Sequence, residues 1–114
     1  MENLYTTDNI LVYVGGDENQ LKEMIDLFLK TIPKEFENLE NSIKNENWDA
    51  AYEISHRIKP SMEILQIKNA TEEFFDLNIK LHKKSQLNEI PDLFRGISIN
   101  VNSAIEQIKK DFKL

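Results

Sequence analysis

His56 and Lys59 are the residues of this sequence whose types and spacing could do chemistry. At about 100° per residue, Ile54, Ile58 and Leu65 share one apolar helix face, and His56 projects from the opposite side. A solvated imidazole is largely neutral near pH 7, so one ring nitrogen is free to act as a nucleophile or a proton carrier. Lys59, one turn later, places a cation on the same side. The pair therefore suits an anionic group that arrives at the histidine.

Two other interpretations of this segment remain to be weighed. Taken alone, His56 and Lys59 are an ordinary solvated pair, with Lys59 bonded to Glu63 or Glu53. Glu53 and His56 also form a Glu-x-x-His motif, as in di-iron helical bundles. Such a site needs a second Glu-x-x-His motif on another helix, facing inward. Ile79 stands at that spacing before the other histidine, His82, so we expect no metal site and a surface position for His82.

The segments before this histidine have the pattern of two helices. Thr7 or Asp8 could cap a short first helix, which the Gly15-Gly16 pair would end in a left-handed conformation. Asp17 and Gln20 have the spacing of a capping box for a long second helix. Pro33 predicts a kink in that helix, or a break into two abutting helices. Its apolar positions are Leu21, Met24, Ile25, Phe28, Leu29, Ile32, Phe36, Leu39 and Ile43, while Glu35, Glu37 and Glu40 predict a solvated acidic face.

The remaining sequence predicts three further helices. Asn47 can cap the third helix, which carries His56. The fourth is expected from about Asn69 to Lys84, followed by a loop through Ser85 to Glu89. Pro91 suits the first position of the last helix. Aromatic residues at helical spacing predict core positions for Trp48, Phe74, Phe75, Phe94 and Phe112. We therefore predict one all-α domain over residues 1–114, an antiparallel four-helix bundle with an additional short N-terminal helix.

Composition limits the classes of function. The chain has 114 residues, a net charge of -6 and no cysteine, which excludes disulfides, thiolate metal sites and cysteine nucleophiles. The acidic balance disfavours nucleic-acid binding. No apolar run approaches the roughly 20 residues of a membrane span, and the start Met-Glu-Asn-Leu-Tyr lacks the pattern of a signal peptide. We expect a cytoplasmic protein with a protein partner, no membrane association and no cofactor of its own.

The residues around His56 resemble a known family, the histidine-containing phosphotransfer (HPt) domains of two-component phosphorelays. These domains typically have Gly-Gly-Asp before a long helix, then His-x-Leu-Lys-Gly-Ser, with a leucine six residues after the lysine. Here stand Gly15-Gly16-Asp17, His56-Arg57-Ile58-Lys59-Pro60-Ser61 and Leu65. The resemblance implies that His56 accepts a phosphoryl group from a receiver-domain aspartate and passes it to another receiver, with Lys59 offsetting negative charge.

The same resemblance implies the partners. They would be receiver domains of a hybrid histidine kinase or of a response regulator, which bind the Mg²⁺, and a monomer suffices for docking. Pro60, Ser61 and Glu63 would contact the partner, and Pro60 and Ser61 would shape the approach to the histidine. A hydrophobic docking patch near His56 would be formed by four residues that are not fully buried, Ile10, Leu11, Val14 and Leu21. The sequence has no nucleotide-binding loop, so we expect no autokinase activity.

The sequence departs from the family pattern at two positions. Pro60 stands where the family commonly has glycine, and Gln66 replaces the glycine that follows the leucine. Proline cannot donate to the carbonyl of His56, so we expect a bend in the helix at the active face. The alternative function is a noncatalytic adaptor bundle that binds a receiver, or another signalling protein, without exchanging phosphate.

Overall fold

The computed structural model describes residues 3–114, which form five α-helices and no β-strand. The helices are α1 (Asp8–Tyr13), α2 (Glu18–Lys44), α3 (Trp48–Leu65), α4 (Thr71–Lys83) and α5 (Ile90–Phe112), with one 3₁₀ turn at Leu87–Glu89. The all-α prediction is therefore confirmed for this part of the chain. Met1 and Glu2 lie outside the described residues. They are the first two residues of the predicted domain and of the N-terminal segment that was compared with a signal peptide.

The four longer helices pack around a common core. α2 and α4 each contact both α3 and α5, while α1 packs against α2 and α3. α3 and α4 run in opposite directions, because Tyr52 meets His82 at one end of the pair and Met62 meets Thr71 at the other. The most deeply buried large side chains are Ile10, Ile25, Leu39, Met62, Leu65, Phe74, Leu77, Leu81, Ile90, Ile97, Val101 and Ile108.

The turn between α1 and α2 forms largely as the sequence predicts. Gly15 and Gly16 have φ values of +64° and +81°, a region that side-chain-bearing residues rarely adopt. The Asp17 carboxylate accepts hydrogen bonds from the backbone N–H groups of residues 19 and 20. The reciprocal bond of a capping box is absent within residues 3–114, because the Asp17 N–H donates to the carbonyl of Val14 instead. At α1, the Thr6 hydroxyl rather than Thr7 accepts from the Asp8 N–H.

Helices α2 and α3 each continue through an internal proline, Pro33 and Pro60 respectively. The alternative of two abutting helices at Pro33 is thus wrong, because the apolar stripe keeps packing on the core beyond it. α3 ends at Gln66, whose φ of +46° is the left-handed conformation that glycine adopts most easily. The Gln66 side-chain amide donates to the carbonyl of Glu63 at 2.6 Å and so satisfies one of the last carbonyls of the helix.

Helix α4 begins two residues later than predicted. Asn69 has a φ of +59°, which is incompatible with a helical residue. The hydroxyl of Thr71 accepts from the Ile67 N–H at 2.8 Å and donates to the Met62 carbonyl at 3.1 Å, closing the connection to α3. α5 begins at Ile90, so Pro91 occupies its second position rather than its first.

Candidate functional site

His56 lies on the exposed stripe of α3, with buried Ser55 and Ile58 beside it. The Ser55 hydroxyl donates to the Tyr52 carbonyl at 2.8 Å and accepts from the side-chain amide of Asn78 at 2.9 Å. Asn78 is itself buried on α4. Buried polar groups of this kind are costly unless paired, so this bond fixes α3 against α4 directly beneath the exposed histidine.

The ring of Tyr52 lies beside His56 and also contacts a second histidine, His82. Tyr52, one helical turn earlier, has its ring centroid 5.9 Å from the His56 ring, with 31° between the planes. The same tyrosine ring lies 4.9 Å from the ring of His82, which α4 supplies. Both histidines are exposed and Tyr52 is half-buried. His82 is at the surface, as expected from the sequence, but the pattern did not predict that both histidines contact one ring.

Lys59 occupies the α4 side of the exposed stripe. Its ammonium lies over the ring of Phe75, 5.5 Å from the centroid, which is within the range of a cation–π contact. Glu53 and Glu63, the alternative partners considered from the sequence, make no ion pair with Lys59 within residues 3–114. Phe75 is half-buried, so its predicted core position is confirmed only in part. The contact keeps a positive charge close to His56 without a neutralising carboxylate.

Arg57 occupies the α2 side of the same stripe. Its guanidinium bonds Glu35 on α2 through two nitrogens, at 3.0 and 3.1 Å to one carboxylate oxygen. Glu35 is half-buried by this contact, so the predicted solvated acidic face is wrong at that position. Exposed pairs of this kind contribute only about 0–1 kcal/mol to stability. His56 thus lies between one unpaired cation, Lys59, and one paired cation, Arg57.

The predicted partner-contact residues differ in accessibility. Pro60 and Glu63 are exposed, while Ser61 and Leu11 are half-buried. Leu21 and Ile10 are only 4% and 0% exposed, so their prediction as docking residues is wrong: both side chains belong to the hydrophobic core. A buried side chain of this kind cannot contact a partner without local unfolding.

The accessible apolar surface of α1 consists of residues that the sequence interpretation did not single out. Val12 and Tyr13 are 83% and 77% exposed. The side chain of Asn9 donates to the carbonyl of Ile64, so α1 packs on α3 beyond His56. Eight residues separate Ile64 from His56, about 12 Å along a helix. Residues close together on a helix point to different faces, so Val12 and Tyr13 are exposed although Ile10 is buried.

A groove of about 290 Å³ lies on a different face, between α2 and α5. Ile43, Phe94 and Ile99 line it with apolar surface, and Glu40, Lys44 and Arg95 line its polar parts. The buried hydroxyl of Ser98 has no hydrogen-bond partner there. Glu40 bonds Lys44 and Arg95 bonds Asp92, so the charges of this groove are already paired.

The described part of the chain contains no group of three or more His, Asp or Glu side chains that could hold a metal ion. None of its helices combines the length and apolarity that crossing a membrane requires.

Comparisons with protein-family models, with curated proteins and with solved structures found no match to this chain.

Proposed function

We propose that this protein is a phosphorelay intermediate of the HPt type. His56 accepts a phosphoryl group from the aspartyl phosphate of one receiver domain and passes it to the aspartate of another. The observation that carries the proposal is the position of His56: an exposed imidazole on a helix packed into the core, one turn before Lys59, whose ammonium lies over Phe75. Phosphoryl transfer depends mainly on in-line positioning and on neutralising charge, and both can be met on an open surface.

The proposed fold is the antiparallel four-helix bundle of this family, formed by α2 to α5 with α1 packed on α2 and α3. The pairwise packing of α2 with α3, α3 with α4, α4 with α5 and α5 with α2 supports it. In such a bundle His56 is exposed on the outer face of α3, where another protein can reach it. Val12 and Tyr13 on α1, with Leu11 beside them, add accessible apolar area for that contact.

The proposed transfer step needs only a few chemical groups. A neutral ring nitrogen of His56 attacks the phosphorus with its lone pair, an N–P bond forms, and the P–O bond to the receiver aspartate breaks. The aspartate leaves as a carboxylate, so the leaving group needs no proton. Lys59 offsets part of the charge on the phosphoryl oxygens. The Mg²⁺ that such transfer requires is proposed to belong to the receiver, and the protein is proposed to act as a cytoplasmic monomer.

The test is label transfer from a panel of phosphorylated receiver domains to the wild type, to His56→Gln and to His82→Gln. His82 is the matched control, because it is a second exposed histidine that contacts the same tyrosine ring. We expect acid-labile label on the wild type and His82→Gln, and none on His56→Gln.

The adaptor alternative has a different outcome. Receiver binding that is measurable in the wild type and His56→Gln, with label on neither protein, would contradict the relay and support an adaptor. Label on His56→Gln that His82→Gln loses would move the phosphoacceptor to His82 and contradict the assignment of His56.

A further inference from the structure

Tyr52 carries the aromatic ring that contacts His56 along α3. It lies one turn before the histidine, so its side chain belongs to the same column of the helix surface. The ring centroids are 5.9 Å apart, within the range in which aromatic rings attract each other. Tyr52 is half-buried while His56 is exposed, so the tyrosine is the more restrained partner of the two.

The Tyr52 residue is held from two directions. The backbone carbonyl of Tyr52 accepts a hydrogen bond from the hydroxyl of buried Ser55. That hydroxyl in turn accepts a hydrogen bond from the side-chain amide of Asn78 on α4. At the Tyr52 side chain, the ring meets the ring of His82 on α4, at 4.9 Å between centroids and 41° between planes. The Tyr52 ring is therefore placed by contacts with two helices rather than by α3 alone.

An exposed imidazole without such a neighbour exchanges rotamers freely on the picosecond to nanosecond timescale. Only rotamers that aim a nitrogen lone pair in line with the incoming phosphorus react, so restricting the ring to such a rotamer increases the reactive fraction. An aromatic contact of this type is strong enough to shift such a population by roughly two- to tenfold. A ring held in one rotamer also presents the same nitrogen to every partner.

We propose that Tyr52 is the positioning residue for His56 and that His82 supports it from α4. Tyr52 then selects both the rotamer of the imidazole and the nitrogen that is phosphorylated. This inference rests on the proposed function, because it concerns the reactivity of the same histidine. It assigns a role to the ring of Tyr52, since the contact to each histidine is between rings.

The test uses phosphoramidate, a small phosphoryl donor that needs no partner. A neutral nitrogen of His56 attacks the phosphorus of the zwitterionic donor, the N–P bond to histidine forms, and the donor's P–N bond breaks to release ammonia. We would measure the second-order rate at His56, located by peptide mapping, and the phosphorylated nitrogen, identified by ³¹P NMR. The proteins are the wild type, Tyr52→Phe, Tyr52→Leu, His82→Phe and His82→Gln, each checked for native helicity.

We expect the wild type, Tyr52→Phe and His82→Phe to react at similar rates and to give one predominant regioisomer. Tyr52→Leu keeps an apolar side chain but no ring, and we expect it to react about two- to tenfold more slowly and to give a mixture of both regioisomers. His82→Gln is expected to lie between these results. A merely structural role of Tyr52 would change helicity or stability without redistributing the product between the two nitrogens.

Two results would overturn the inference. A folded Tyr52→Leu protein with the wild-type rate and a single regioisomer shows that the ring does not position His56, and leaves the proposed function intact if receivers still label the wild type. A wild type that reacts with neither phosphoramidate nor any receiver contradicts the proposed function and this inference together.

Discussion

At the scale of single residues, the two cations beside His56 differ in what holds them. Lys59 rests on the ring of Phe75, a contact that leaves its full charge available to an incoming anion. Arg57 bonds the carboxylate of Glu35, so its charge is already paired. The residue types alone suggest two similar cations, whereas their partners make them unequal.

This inequality leads to a prediction for Lys59. Lys59→Gln should lower the rate of phosphoryl transfer from a phosphorylated receiver about tenfold, which corresponds to ~1.4 kcal/mol of transition-state stabilisation. The loss arises because a cation near the phosphoryl oxygens is removed. Lys59→Arg should keep most of the rate, since arginine also stacks on aromatic rings.

Arg57→Gln is the matched control for this measurement. It removes one positive charge from the other side of His56, but a charge that is already paired with Glu35, and should change the rate by less than Lys59→Gln does. Single-turnover transfer kinetics with one receiver would measure all three variants. Equal losses for Lys59→Gln and Arg57→Gln would show that net charge, rather than the position of Lys59, governs the step.

At the scale of helices, α3 carries the candidate site and also an internal proline, Pro60, which interrupts its hydrogen bonding. Pro60 lies four residues after His56, so the His56 carbonyl lacks its usual helical donor. α2 contains a comparable interruption at Pro33, which is also exposed but lies on another helix. α3 nevertheless continues to Leu65, because Ile58, Met62 and Leu65 are buried in the core on both sides of the proline. Packing thus offsets a local cost, as is common for helices in proteins.

Replacement of Pro60 tests this balance. Pro60→Ala should raise the free energy of unfolding by up to about 3 kcal/mol, because it restores a backbone donor and removes a steric conflict. Pro33→Ala should stabilise the protein in the same direction. Urea denaturation would measure both changes.

The two proline variants should differ in phosphoryl transfer. Only Pro60→Ala alters the backbone that presents His56, so we expect a changed transfer rate for it and an unchanged rate for Pro33→Ala. A Pro60→Ala protein that is less stable than the wild type would show that the native backbone of α3 requires the proline.

At the scale of the whole molecule, residues 4–6 link the ends of α3 and α5. The Thr6 N–H donates to the Leu65 carbonyl, and the Leu4 carbonyl accepts from the Lys68 N–H. The Tyr5 hydroxyl donates to a carboxylate oxygen of Asp111 at 2.8 Å. This segment therefore joins the end of the helix that carries His56 to the last helix of the chain.

The contact between Tyr5 and Asp111 makes the stability of the protein depend on pH in the alkaline range. Partial burial, and then the hydrogen bond and the negative charge of Asp111, raise the pKa of Tyr5 well above its ordinary value. The folded protein thus favours the neutral phenol, so the contribution of this contact is complete below pH of about 10 and is lost as the pH rises above it.

We expect the wild type to lose thermal stability more steeply than Tyr5→Phe as the pH is raised through about 10. The two proteins differ only at Tyr5, so the contributions of all other groups cancel in the difference. Thermal midpoints measured in parallel would test this expectation. Parallel pH curves for the two proteins would show that the Tyr5 ionisation is not coupled to folding.

The sequence alone determined the all-helical class and most helix ends, because helical spacing of apolar residues and capping chemistry are local properties. Asp17 and Asn47 cap α2 and α3 as predicted, and the positive φ values of Gly15 and Gly16 end the first turn. The exposure of His56 also followed from spacing alone. The start of α4 was predicted two residues too early, because Asn69 is left-handed and belongs to the connection that Thr71 bonds to the end of α3.

Only the tertiary structure decided what surrounds the histidine. The contacts of His82 with Tyr52, of Phe75 with Lys59 and of Glu35 with Arg57 all join residues on different helices. The burial of Leu21 under α1 has the same origin. Helical periodicity shows which way a side chain points from its own helix, but the rotation and register of neighbouring helices decide which side chain it meets. These depend on packing of the whole core, which no single segment of the sequence specifies.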